Sequence, residues 1–175
     1  MSFQSVIATI NELKKEKIIA DYAIYGGYAI TYYLEPAYTY DLDIIILVNS
    51  NDDFHELYKY FRKKGNKIEN VYIFIDDMPV QFFPGYGGDI FEEAVRHAHK
   101  IKIKDLPSKV VNVEYLIAML LKSYRPKDKI RIAELLPKAN VDTLKEIIKR
   151  HDNENDRLQI KYKELRRTLQ AGQGK

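Results

Sequence analysis

Asp41-Leu42-Asp43 has the residue types and spacing for metal chemistry. On an extended strand successive side chains alternate faces, so two carboxylates two positions apart point the same way. Together they could hold a hard divalent cation through oxygen. The next residues, Ile44 to Val48, are all apolar. Two like charges beside such a run are costly unless they stand at the strand's end or bind a cation. Because the chain has 25 acidic residues, such pairs also arise by chance, and a solvated pair at a strand start is the plain alternative. A second feature is Gly26-Gly27. Glycines between a strand and a helix let backbone N–H groups approach a phosphate, and the helix end adds positive dipole. An isolated Gly-Gly, however, is also an ordinary tight turn.

These residues need elements to aim them. Phe3, Val6, Ile7, Ile10 and Leu13 recur at helical spacing, which predicts a helix over Ser2 to Ile18. Tyr22 to Tyr25 reads as a short strand stopped by the glycines, and Tyr28 to Leu34 as a short helix ended by Pro36. Asp41 to Val48, β-branched and continuous, is the clearest strand and should be buried on both faces. Asp52 is placed to cap a helix running to Lys64. Val71 to Ile75 and Val80 to Phe83 read as a hairpin around Asp76-Asp77-Met78-Pro79, and Pro84 to Gly88 as a loop. Asp89 caps a helix to about His97, and Ile101 to Ile103 is one more strand. After Pro107 the pattern is helical: Asn112 to Leu121, Pro126 to Leu136, Val141 to Arg150 and Asp152 to Leu169.

The layout predicts an α/β (α+β) core over residues 1–107, a helical part over 108–170 and a disordered tail over 171–175. At 175 residues and 20.5 kDa, the chain can bury roughly 70% of its unfolded surface without a metal or disulfide staple. It has no cysteine, which excludes a disulfide scaffold, a Cys-based zinc finger, an iron–sulfur site and a thiol nucleophile. No apolar run approaches the ~20 residues of a membrane span, and no export signal is visible, so a soluble cytoplasmic protein is expected. Residues 1–99 carry nine basic against 15 acidic side chains, and residues 100–175 carry 19 against ten. An acidic half suits divalent cations and a basic half suits phosphates; the plain alternative is a set of basic helices facing solvent.

The order strand, Gly-Gly, short helix, then Asp-x-Asp opening a buried strand is similar to the start of the nucleotidyltransferase superfamily. Tyr25-Gly-Gly-Tyr-Ala through Thr39-Tyr-Asp-Leu-Asp-Ile resembles the core motif of its minimal, AbiEii-toxin-like branch. The likeness continues at Val80-Gln-Phe-Phe-Pro, Glu114-Tyr-Leu-Ile-Ala, and Arg125-Pro-Lys-Asp followed by Arg131. It spans roughly residues 20–150. What it implies is a mixed-sheet nucleotidyltransferase-like core with a helical C-terminal part, and Mg2+- or Mn2+-dependent transfer of a nucleotide from an NTP to a hydroxyl on RNA, tRNA included, or on protein. Carried over position by position, Gly26, Gly27 and Thr39 line the nucleotide, with Arg125 and Lys127 as further phosphate contacts. Asp41 and Asp43 hold the metal, and Asp128 matches a further acidic position.

The chain departs from that pattern in three places. Ala37 stands where related sites carry Arg or Lys. Gln81 stands at the third carboxylate, where an amide oxygen can ligate but cannot act as a base. A helix-borne Lys near Leu120 is missing, and Lys122 is the nearest candidate. Asp76 or Asp77 could stand in for the third acid from the hairpin, although Asp is also an ordinary turn residue. These departures keep a second reading open, a non-catalytic nucleotide- or RNA-binding module or one half of a toxin–antitoxin pair with a degenerate site.

Other signals are softer. Seven of the 14 tyrosines lie between Tyr22 and Tyr40, where a ring could stack on a base or simply pack. His97 and His99 lack a third ligand for zinc. Arg125, Lys127, Lys129 and Arg131 could grip an RNA backbone or a triphosphate, or only solvate a helix.

Overall fold

In the computed structural model, residues 3–35 and 39–172 are described. Their contacts divide the chain into two compact units, Met1–Asn112 and Val113–Lys175.

The first unit is built on a seven-stranded mixed sheet in the order β3-β4-β5-β2-β1-β7-β6. The strands are β1 (Asp21–Tyr25), β2 (Leu42–Leu47), β3 (Ile68–Glu69), β4 (Tyr72–Ile75), β5 (Met78–Gly85), β6 (His99–Ile103) and β7 (Leu106–Val110). β2 runs parallel to β5 and β1 parallel to β7, while the other neighbours are antiparallel. The helices are α1 (Phe3–Lys15), α2 (Gly26–Tyr33), α3 (Asn51–Lys63) and α4 (Ile90–Arg96).

Side-chain alternation divides the sheet into two faces. Leu42, Ile44 and Ile46 of β2 share one face with Ile24, Ile73, Val80 and Phe82, and all are buried. α1 and α3 complete this core with Val6, Ile7, Ile10, Leu13, Leu57 and Phe61. Each such side chain contributes about 1.5–3 kcal/mol by leaving water. The rings of Phe61 and Phe82 stack across the core with centroids 5.9 Å apart. On the other face Ala23 and Ile45 are fully buried as well, so β2 is covered on both sides as expected.

Several boundaries differ from the sequence reading. α2 begins at the glycines themselves, two residues before Tyr28, because Gly26 adopts φ +61° and opens the first turn. Ser50 caps α3, its hydroxyl accepting from the Asp53 N–H, so Asp52 lies inside the first turn. β5 runs on through Pro84 to Gly85. A β-carbon at Gly85 would lie 2.7 Å from the Glu92 amide nitrogen, so this glycine is what lets α4 lie against the strand. β7 was missed altogether. It contains Pro107, pairs with β1 at one register position only, and forms a hairpin with β6 whose turn residue Lys104 has φ +54°.

The second unit is helical: α5 (Val113–Ser123), α6 (Pro126–Leu135), a single 3-10 turn (Leu136–Lys138), α7 (Val141–His151) and α8 (Leu158–Gly172). α6, α7 and α8 all pack on α5. α8 starts at Leu158, the first residue of its apolar spacing and six residues after the expected start at Asp152. Asp152 accepts a hydrogen bond from the Leu158 N–H at 2.6 Å, which holds the intervening residues as a loop. Residues 173–175 of the expected tail lie outside the described residues. Among the described residues no helix is long and apolar enough to cross a membrane.

Candidate functional site

The ladder fixes which side chains meet. Tyr25 of β1 is in register with Asp43 of β2, Asp43 with Gln81 of β5, and Gln81 with Tyr72 of β4. Register partners project from the same face, so these four side chains form one row across four adjacent strands. At a strand spacing of 4.7–4.9 Å the row is roughly 14 Å long. It lies opposite the α1/α3 core, since the neighbouring Leu42, Ile44, Val80 and Phe82 point the other way. Tyr25 closes one end by packing edge-on against Phe83 and Phe91, at 5.4 and 6.1 Å between centroids.

The glycine turn rests on this row. A β-carbon at Gly26 would lie 1.8 Å from Asp43 Oδ2 and 2.6 Å from its Cγ. The Asp43 carboxylate therefore occupies the space that glycine leaves, directly beneath the start of α2. A β-carbon at Gly27 would lie 2.6 Å from the Thr39 hydroxyl oxygen. That hydroxyl in turn donates to the Asp41 carbonyl at 3.2 Å. Gly26, Gly27, Thr39, Asp41, Asp43 and Gln81 thus come together in one place, although 55 positions separate the first from the last.

Asp41 sits just before β2, and Tyr72 Oη donates to its Oδ2 at 2.9 Å. The Asp41 bond, with the negative charge of Asp41 and of Asp43, holds the Tyr72 phenol above the usual tyrosine range. Nothing local marks Tyr72 in the sequence, since its partner lies 31 positions away. Its pairing with Gln81 through the hairpin is the only signal that could have found it.

The donor set suits a hard cation. It offers two carboxylates and, one strand over, a neutral amide oxygen. Among the described residues no group of three or more His, Cys, Asp and Glu could hold a metal, so the acids here number two. Mg2+ is commonly held by one or two carboxylates together with substrate phosphates, so this set fits it. Asp76 and Asp77, the alternative acids, form the two-residue β4–β5 turn at φ +51° and +63°, and Asp76 accepts from the Ser5 hydroxyl. Ala37 lies outside the described residues.

The tyrosines separate by role. Tyr22 is buried and donates to Asn11, Tyr28 stacks on Phe3, and Tyr33 donates to the Val111 carbonyl. Tyr40, 68% exposed, and Tyr32, 53% exposed, are the rings open to a ligand. Tyr38 lies outside the described residues. The His97 Nδ1 lies 2.9 Å from the Glu93 carbonyl at the end of α4, and His99 stands on β6.

Arg125, Lys127 and Asp128 belong to the second unit and open α6. Asp128 is buried, and it accepts from the Ser123 hydroxyl at 2.7 Å and from the Arg125 N–H and Nε at 2.9 Å each. Burial pushes its carboxyl up, but these donors outweigh that and hold it below the usual range. Its carboxylate caps the start of α6 by accepting from the backbone N–H of the N-cap residue, Arg125. Lys127 is exposed in the first turn. The ammonium of Lys129 lies 4.3 Å from the centroid of the Tyr124 ring. Lys122 pairs with Asp156 at 3.2 Å.

No family model matches the chain, and no curated protein sequence does. Solved structures are similar to it. The crystal structure of ANT(2")-Ia in complex with adenylyl-2"-tobramycin shares 16% identity over 86% of this chain and 97% of that one, with a TM-score of 0.55. The solution structure of the antibiotic-resistance factor ANT(2'')-Ia shares 14% identity over 96% and 97%, with a TM-score of 0.56. An antigenic nucleotidyltransferase-like protein from Paracoccidioides brasiliensis shares 15% identity over 86% and 88%, with a TM-score of 0.51. At these identities the likeness is one of fold: the chain has a nucleotidyltransferase-like mixed α/β architecture.

Proposed function

We propose that this protein transfers a nucleotidyl group from an NTP to an acceptor hydroxyl. The observation that carries the reading is the Asp43 carboxylate lodged against Gly26, in register with Gln81 and two residues from Asp41. A helix start and two acids then share one small space. Asp41 and Asp43, with the Gln81 amide oxygen, would hold Mg2+ or Mn2+. The cation, when bound, neutralises phosphate charge and makes the acceptor hydroxyl easier to deprotonate.

The chain's own residues do the rest by positioning. The α2 start at Gly26-Gly27 presents backbone N–H groups and a positive dipole to the phosphates. Thr39 steadies the turn before β2. The acceptor oxygen bonds to the α-phosphorus, the bond to the β-phosphate oxygen breaks, pyrophosphate leaves, and the hydroxyl proton ends in solvent. Gln81 cannot accept that proton.

RNA is the acceptor that the second unit favours. Residues 113–175 carry 15 basic against nine acidic side chains, and Lys127 is open to phosphate, with Arg125 beside it. The toxin–antitoxin partnership and the AbiEii-like branch are supported by the motif resemblance alone. Labelled NTP and Mg2+ would be supplied with total RNA, with protein lysate and, because one structural neighbour was crystallised with adenylyl-2"-tobramycin, with tobramycin. Label should move to RNA and be lost in Asp41→Asn. Transfer that survives in this variant overturns the site, and transfer to another arm overturns RNA as acceptor. NTP that stabilises the fold equally with and without Mg2+, and yields no transfer, would favour the binding-module reading.

A further inference from the structure

Asp43 and Asp41 are held in different ways. Asp43 lies inside the β2 ladder, paired on both sides, so its backbone direction is set by the sheet. Asp41 precedes the ladder. Two side-chain bonds fix it instead: the Thr39 hydroxyl on its carbonyl, and the Tyr72 hydroxyl on Oδ2 of its carboxylate. Tyr72 is only part-buried, so water could satisfy its hydroxyl. The bond is therefore not needed to rescue a buried phenol. To make it, Tyr72 reaches from β4 across the intervening strand β5 to the residue that precedes β2.

We infer that Tyr72 is a positioning residue that orients the Asp41 carboxylate for divalent-cation binding. This rests on the metal reading of the site given above. By donating to Oδ2, the phenol fixes rotation of the carboxylate and leaves Oδ1 to face a cation shared with Asp43. It also withholds one acceptor position from any other cation. A donor bonded to a metal ligand typically changes affinity by 10–100-fold when removed.

The test is Tyr72→Phe, which removes the hydroxyl and keeps the ring. Mn2+ binding would be followed by electron paramagnetic resonance of the free ion, with a non-hydrolysable NTP analogue present, in the wild type, Tyr72→Phe and Asp41→Asn. The expected result is a Kd for Mn2+ raised about tenfold in Tyr72→Phe with an unchanged thermal midpoint. In the transfer assay the apparent KM for Mg2+ should rise by a similar factor, and kcat should return at saturating Mg2+. A loss of fold alone would not produce that recovery. Mn2+ binding in Tyr72→Phe as tight as in the wild type, or tighter, overturns the inference while Asp41→Asn still reports on the site. Failure of the wild type to take up Mn2+ overturns this inference and the metal reading together. Weakened Mn2+ binding without any transfer activity supports Tyr72 and counts only against the reaction.

Discussion

Gly26 combines two constraints that usually occur apart. Its φ of +61° lies in the left-handed region, where a β-carbon costs about 1–2 kcal/mol. The space above it is also already filled by a carboxylate. A methyl group there would have to evict Asp43 Oδ2 from 1.8 Å, so the turn and the acid cannot both keep their places. Gly26→Ala should therefore lower metal-dependent nucleotide binding at least tenfold and destabilise the fold by roughly 1–3 kcal/mol. Isothermal titration with NTP and Mg2+, beside urea unfolding, checks both. Nucleotide affinity equal to wild type would show that Asp43 is not part of the site. At this scale the sequence was informative, because glycine and aspartate each have few reasons to stand next to an apolar strand. Tyr72 was not legible: with 14 tyrosines in the chain, no local pattern singles out the one whose hydroxyl crosses a strand.

At the scale of elements, α6 shows how a conspicuous charged motif can have structural work to do. Asp128 ties Ser123, the last residue of α5, to the first turn of α6. Its carboxyl is held below the usual range. A carboxyl lowered in the folded state stabilises fully above its unfolded pKa of about 3.9, and that stabilisation is lost as pH falls through the lower folded value. Wild-type stability should thus drop below about pH 4. Asp128→Asn should cost about 1–3 kcal/mol at pH 7, and its stability should depend less on pH in that window. Urea unfolding between pH 3 and 7 measures it, and parallel curves for the two proteins would contradict it. The element boundaries show what a linear pattern conveys. β2 was plain, since a continuous β-branched run suits a strand covered on both faces. β7 was hidden because Pro107 and Lys109 break its apolar pattern and its parallel partner, β1, lies more than 80 positions earlier. The apolar spacing of α8 begins at Leu158, where the helix starts, and the stretch back to Asp152 that was read as helix is held as a loop by the Asp152 side chain.

On the scale of the whole molecule, the sheet of the first unit ends in two edge strands, β3 and β6, and they are protected differently. β3 is two residues long and offers little backbone to copy. β6 is five residues long and places exposed Lys100 and Lys102 along its outer margin. An unpaired strand is a template for another chain, and lysine there opposes such pairing by charge and by the cost of desolvating it. Replacing both with valine would turn His-Lys-Ile-Lys-Ile into an apolar, β-branched ribbon. Such a variant should keep its circular dichroism at low concentration and scatter light progressively as concentration rises, whereas a clear solution at every concentration would refute the assignment. The two lysines thus bear on solubility rather than on chemistry: they keep one copy of the sheet from being continued by the next.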